Sequence, residues 1–199
     1  MKARALIFLG ALLMGGSVFA GPITYSVIMN GPSESPPQAS PGIGSASVII
    51  DSTANTLSIV SESFSGLLAG TTASHLRCCT ASPLSGTAGV ATQVPTFTGF
   101  PLGVTSGSYS MTFDMTQAAT WNPAFITANG GTAAGAEAAL VAGAAAGRVY
   151  LNIHTTFAPG GEIRGFLQEG AAVPEPGTLA FGFIGLAAIA LIRRARSRR

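Results

Sequence analysis

Gly147-Arg-Val-Tyr-Leu-Asn-Ile-His-Thr-Thr-Phe-Ala-Pro-Gly-Gly-Glu-Ile-Arg-Gly-Phe-Leu167 alternates apolar and polar residues on either side of a Pro-Gly-Gly bend. A period of two sends successive side chains to opposite faces of a strand. Val149, Leu151 and Ile153 therefore share one face, and Arg148, Tyr150, Asn152 and His154 the other. Ala158-Pro-Gly-Gly161 turns the chain, after which Ile163 and Leu167 are expected inward and Glu162, Arg164 and Phe166 outward. The simplest register of this hairpin sets His154 opposite Glu162 and Asn152 opposite Arg164, complementary partners across neighbouring strands.

Similar short strands, punctuated by Gly, Pro and Asn, precede this hairpin. Ile23–Met29 opens as a strand, and the proline-rich stretch 30–41 cannot join a central sheet. Residues 44–50 and 56–64 form a second hairpin around Asp51-Ser-Thr-Ala-Asn55. Strict alternation in its second strand puts Leu57 and Ile59 on one face and Val60, Glu62 and Phe64 on the other. Thr71–Cys79 is a strand carrying His75, and residues 80–103 form a long Pro- and Gly-rich excursion with apolar islands at Val90, Val94, Phe97 and Phe100. Gly107–Met115 alternates again, with Tyr109, Met111, Phe113 and Met115 expected inward.

Alanine-rich residues 132–146 are the one convincing helix, a short surface element weakened by Gly143 and ended by Gly147. The expected fold is thus all-β, a single antiparallel β-sandwich with one short helix.

The two ends carry a different signal. Met1-Lys-Ala-Arg4, the apolar run 5–14 and Ser17-Val-Phe-Ala20 are the three regions of a secretory signal peptide cleaved after Ala20. At the other end stand Val173-Pro-Glu-Pro176, an uncharged apolar run 178–192 and five arginines at 193, 194, 196, 198 and 199. Arginines beside a spanning segment stay cytoplasmic, so this order leaves the Pro-Glu-Pro outside. The domains expected are a signal peptide, 1–20, an exported domain, 21–172, and a C-terminal segment, 173–199, with a transmembrane helix at about 178–192.

This tail resembles the PEP-CTERM sorting signal of Gram-negative bacteria. The resemblance implies recognition of Pro174, Glu175 and Pro176 by a membrane processing enzyme, an exosortase. It also implies an inner-membrane-anchored precursor, then release to the cell surface or extracellular matrix, often with exopolysaccharide and biofilm.

The formal net charge of +2 comes from those ends. The exported part keeps Arg77, Arg148 and Arg164 against seven carboxylates, Glu34, Asp51, Glu62, Asp114, Glu137, Glu162 and Glu169. That balance argues against nucleic acid, which requires a basic face. Cys78 and Cys79 are the only cysteines, and an oxidising exterior favours a vicinal disulfide over two separate thiols.

His75, His154 and Glu162 can be drawn as a two-histidine, one-carboxylate metal site, the alternative being a small metalloprotein. Without local ligand spacing, the better reading makes His75, His154, Glu162 and Arg164 a satisfied polar cluster within the sheet, with no cofactor. There is no Gly-x-Ser-x-Gly elbow, phosphate loop or dinucleotide fingerprint, so no catalytic residue is assigned. Tyr150, Phe166 and Trp121, if exposed, would suit a carbohydrate-binding adhesion module.

Tyr150-Leu-Asn-Ile-His-Thr155 with Pro159-Gly-Gly-Glu-Ile-Arg-Gly165, preceded by Ala73-Ser-His-Leu-Arg-Cys-Cys79 and Glu34-Ser-Pro-Pro37, resembles the CHRD domain. That family is named after repeats in chordin and occurs in bacterial exported proteins. The resemblance implies an immunoglobulin- or superoxide-dismutase-like β-sandwich. Family members often carry His-Ile-His where this chain has His75-Leu-Arg77, so a role needing both histidines of that strand is not expected. The function expected is that of a non-enzymatic exported surface or matrix protein.

Overall fold

The structure, a computed structural model, describes residues 21–170. Its elements are β1 (Ile23–Asn30), β2 (Ile43–Asp51), β3 (Thr56–Ser65), β4 (Thr71–Arg77), β5 (Gly107–Asp114), α1 (Pro123–Ala128), α2 (Ala133–Ala145), β6 (Tyr150–Thr155), β7 (Ile163–Phe166) and β8 (Gln168–Glu169). The strands β4-β6-β7-β1-β2-β3-β5 form one sheet in that order, and each registered pair is antiparallel. β1, β2, β3 and β5 make one half and β4, β6 and β7 the other. The halves meet where Asn30 of β1 pairs with Arg164 of β7.

β4 and β3 stand far apart in that order, yet Ser74 of β4 donates to Glu62 Oε1 of β3 at 2.9 Å. The sheet therefore curls until its two halves face each other across one core. Tyr25, Val27, Val48, Leu57 and Ile59 supply one side of that core, and Leu76, Leu151, Ile153 and Ile163 the other. Burial of these side chains is the main force holding the halves together, about 1.5–3 kcal/mol for each large one. The excursion after β4 seals the remaining gap. Phe97 N donates to Ser74 O, and its ring stacks on Tyr109 and Phe113 at centroid distances of 5.9 and 5.4 Å.

Both hairpins, the strand 23–30 and the alanine-rich helix form as the residue pattern predicts. Thr132 caps α2 by accepting from Gly135 N at 3.1 Å. β4 stops at Arg77, two residues short of the expected Cys79.

Four expectations are corrected. In β3, Ser47 pairs with Ser61 but Val48 with Ile59, so Val60 is an extra residue in a β-bulge. The bulge changes the phase of the alternation: Leu57, Ile59, Glu62 and Phe64 all point inward, and Val60 points to water. Met111 is exposed because β5 is an edge strand with no further strand beside it. A second helix, α1, precedes α2; Asn122 caps it by accepting from Ala124 N, and Pro123 fits its first turn. Finally, Arg164 is buried, because loops cover the outward face that carries it, and Glu162 is buried because Ser40, Leu68 and Thr155 take up its carboxylate.

Gly143 has a packing reason that the helix pattern does not reveal. Cys78 and Cys79 are joined by a disulfide, and a Cβ on Gly143 would lie 2.5 and 2.7 Å from the Sγ atoms of Cys79 and Cys78. The helix thus needs a glycine where it rests on the sulfurs. Among the described residues, no helix is long and apolar enough to cross a membrane. The signal peptide, Pro174, Glu175, Pro176 and the transmembrane helix expected at 178–192 lie outside the described residues.

Candidate functional site

On β4, β6 and β7 the side chains that alternate away from the core are His75 and Arg77, Tyr150, Asn152 and His154, and Arg164 and Phe166. All but Arg77 and Phe166 are fully buried. Three loops provide the cover, namely the proline-rich loop after β1, the excursion after β4 and the β6–β7 bend. Each contributes backbone carbonyls, which fits a face carrying donors.

Arg164 is the centre of this layer. Its Nε donates to Ser33 O and its Nη1 to Gly86 O at 2.9 Å, and Glu34 Oε2 stands 3.8 Å from Nε. Its guanidinium lies 4.8 Å from the Tyr150 ring centroid and 5.7 Å from that of Phe166. Arg77 Nε donates to Asn152 Oδ1 at 3.2 Å and Nη1 to Ala88 O at 3.0 Å. The Asn152–Arg164 pairing expected from the hairpin register is present. Burial pushes the Glu34 carboxyl up to about 6, against the opposing pull of Arg164.

His154 and Glu162 do not meet. β7 begins only at Ile163, so Glu162 still belongs to the bend, where Gly161 has a φ of 133°. Its carboxylate accepts from Ser40 Oγ (2.6 Å) and Leu68 N (2.7 Å) on Oε1, and from Thr155 Oγ1 (2.5 Å) on Oε2. Glu162 is therefore a clamp joining the proline-rich loop, the β3–β4 turn and β6. The three-residue metal site drawn from His75, His154 and Glu162 is not assembled, and among the described residues no three His, Cys, Asp or Glu side chains gather around a possible ion.

The two histidines do come together. His75 pairs with Asn152 and His154 with Ala73, which makes the histidines diagonal neighbours on one face. Their rings meet edge to face at a centroid distance of 5.2 Å. His75 Nε2 donates to Pro95 O and His154 Nδ1 to Pro159 O, both at 2.8 Å. A carbonyl only accepts, so these bonds set the tautomers and leave the lone pairs on His75 Nδ1 and His154 Nε2. Neither of those nitrogens has a hydrogen-bond partner. Burial pushes His75 down to about 4, helped by His154 and Arg77. Burial also lowers His154, with Arg77 adding to it and the Pro159 carbonyl opposing it. Both imidazoles are thus neutral bases near pH 7.

Glu62, which strict alternation misplaces, forms a further buried polar group with Ser74 and Tyr109. Glu62 is 1% exposed; burial raises its carboxyl to about 7 despite the Ser74 bond, and Tyr109 is pushed up to about 12 by burial and by Glu62. The bulge that turns Glu62 inward leaves no mark in residue type. The aromatics considered for sugar stacking are not free. Tyr150 lies under Arg164, and Trp121 is buried on Phe125, its Nε1 donating to Met115 O at 2.9 Å.

Residues 25–167 match the family model of the CHRD domain, and residues 172–199 match that of the PEP-CTERM protein-sorting motif. No curated protein and no solved structure matches the chain.

Proposed function

We propose a function from one premise: this chain belongs to the CHRD-domain family and ends in a PEP-CTERM protein-sorting motif. The motif marks an exported protein of a Gram-negative bacterium, recognised by an exosortase and anchored transiently at the membrane. The finer reading is a non-enzymatic component of the cell surface or extracellular matrix. Residues 1–20 are its signal peptide, 21–172 its cargo, and 178–192 its temporary inner-membrane anchor. The cargo is a β-sandwich of the immunoglobulin and superoxide-dismutase kind, made by one curled sheet whose two halves are joined through β7 and β1. Pro174, Glu175 and Pro176 are the recognition segment.

The observation that carries this reading is the motif match at 172–199. A structural rather than catalytic cargo is supported by the use of Arg77, Arg164, Asn152 and Glu162 in internal hydrogen bonds. Association with exopolysaccharide is supported by the outer face of β1, β2, β3 and β5, where exposed Thr24, Ser26, Ser45, Ser61, Ser63, Ser108, Ser110 and Thr112 stand without a lysine or arginine. The test is the intact mass of the protein recovered from the producing cells and their medium. It should run from Gly21 to near Pro176, and a Glu175→Ala chain should keep its tail. Normal release of that variant would sink the proposal.

A further inference from the structure

We propose that His75 Nδ1 and His154 Nε2 form a two-coordinate site for one soft monovalent cation, of the Cu(I) or Ag(I) class. Both side chains are nine-tenths or more buried, at 5% exposed each, and neither nitrogen has a hydrogen-bond partner. Buried polar atoms in native folds are nearly always paired, so two orphaned lone pairs on adjoining rings call for a ligand.

Three observations select its chemistry. The nitrogen opposite each lone pair donates to a backbone carbonyl, Pro95 O or Pro159 O, the arrangement that orients metal-binding imidazoles and raises their basicity. The ring centroids are 5.2 Å apart, whereas a linear nitrogen–metal–nitrogen unit with bonds of about 2 Å spans roughly 6 Å between ring centres, so the rings part by about 1 Å when one ion bonds both. Arg77 acts electrostatically on both histidines, and no third His, Cys, Asp or Glu joins them among the described residues. A divalent ion would meet twice the repulsion of a monovalent one, and Zn(II) would lack two of its usual four ligands. A monovalent d10 ion is satisfied by two neutral nitrogens.

The experiment titrates the full chain, purified in detergent with its disulfide intact, with Ag(I) in a chloride-free buffer. It repeats the titration with Cu(I) held reduced by ascorbate, which leaves disulfides unbroken. One equivalent should bind. A His75→Ala/His154→Ala chain that keeps the circular dichroism of the parent should bind at least tenfold more weakly, and a Cys78→Ser/Cys79→Ser chain should bind as the parent does. X-ray absorption of the Cu(I)-loaded, unaltered chain should show nitrogen neighbours only, and it decides the matter if the histidine variant does not fold. Absence of binding, full binding by the folded histidine variant, loss of binding in the cysteine variant, or sulfur neighbours would each overturn the proposal.

Discussion

On β1, β2, β3 and β5 the side chains that alternate away from the core meet water, whereas on β4, β6 and β7 the corresponding side chains lie under three loops. In the first half these are mostly serine and threonine, joined in places across strands: Ser45 to Ser63 at 3.2 Å and Ser58 to Thr112 at 2.9 Å. In the second half they are His, Arg, Asn and Tyr, and each finds a loop carbonyl or a neighbouring polar group. Alternation therefore has the same form in both halves and opposite meanings. A short hydroxyl is easily left in water. A long donor reaches a covering loop and holds it down, so the second half has two packed faces and the first has one.

The largest break in this contrast is expected from Arg164→Ala. It removes the bonds to Ser33 O and Gly86 O and leaves Glu34 buried without its cation, which should cost about 3–5 kcal/mol in urea unfolding. A cost below about 1 kcal/mol would mean that the loops cover this face without being held by it.

Glu62 tests whether the first half hides an equally expensive group on its inner side. Its folded pKa is raised from 4.5 to about 7, so the folded state holds a proton that the unfolded state has lost. Stability therefore falls as pH rises from 4.5 to 7 and is level above that. The opposite sign holds for His75, lowered from 6.5 to about 4, whose contribution is lost as pH falls through that window. Glu62→Gln should remove only the first effect. The stability difference between Glu62→Gln and the parent should grow from pH 4.5 to 7, reaching roughly 3 kcal/mol in favour of glutamine. A difference that does not change with pH would show that Glu62 is ionised in the fold.

Gly143→Ala sharpens the comparison at the end of β4. In an open helix, alanine in place of glycine is favourable by about 1 kcal/mol. Here the added Cβ would meet both disulfide sulfurs within 2.7 Å, and a net loss of about 1–3 kcal/mol is expected by thermal unfolding. A gain would mean that α2 can lift from the sulfurs. The smallest effect belongs to the wet half: Ser63→Ala should stay within about 0.5 kcal/mol, since its Oγ partner Ser45 remains open to water. A larger loss would mean that the hydroxyl rows hold the sheet.

The strands, both hairpins, α2 and the Asn152–Arg164 pairing are legible from residue order, because backbone geometry imposes periods of 2 and 3.6 locally and apolar residues mark them. The closeness of His75 and His154 is half legible. Their shared face follows from alternation, but that β4 lies beside β6 does not. The bulge at Val60, the inward Glu62 and the helix-to-disulfide contact at Gly143 leave no local trace.

What the sequence alone determined was which side chains share a face where no bulge interrupts the strand, and that a sorting motif follows the cargo. Only the tertiary structure decided which faces are wet, because the covering groups come from far along the chain. Ser33 O and Arg164 Nε are 131 residues apart, and Ser40 Oγ and Glu162 Oε1 are 122 apart. Glu162 shows the consequence. Alternation places it opposite His154, but distant donors in the folded chain claim its carboxylate, because a buried charge is stable only where its hydrogen bonds are made.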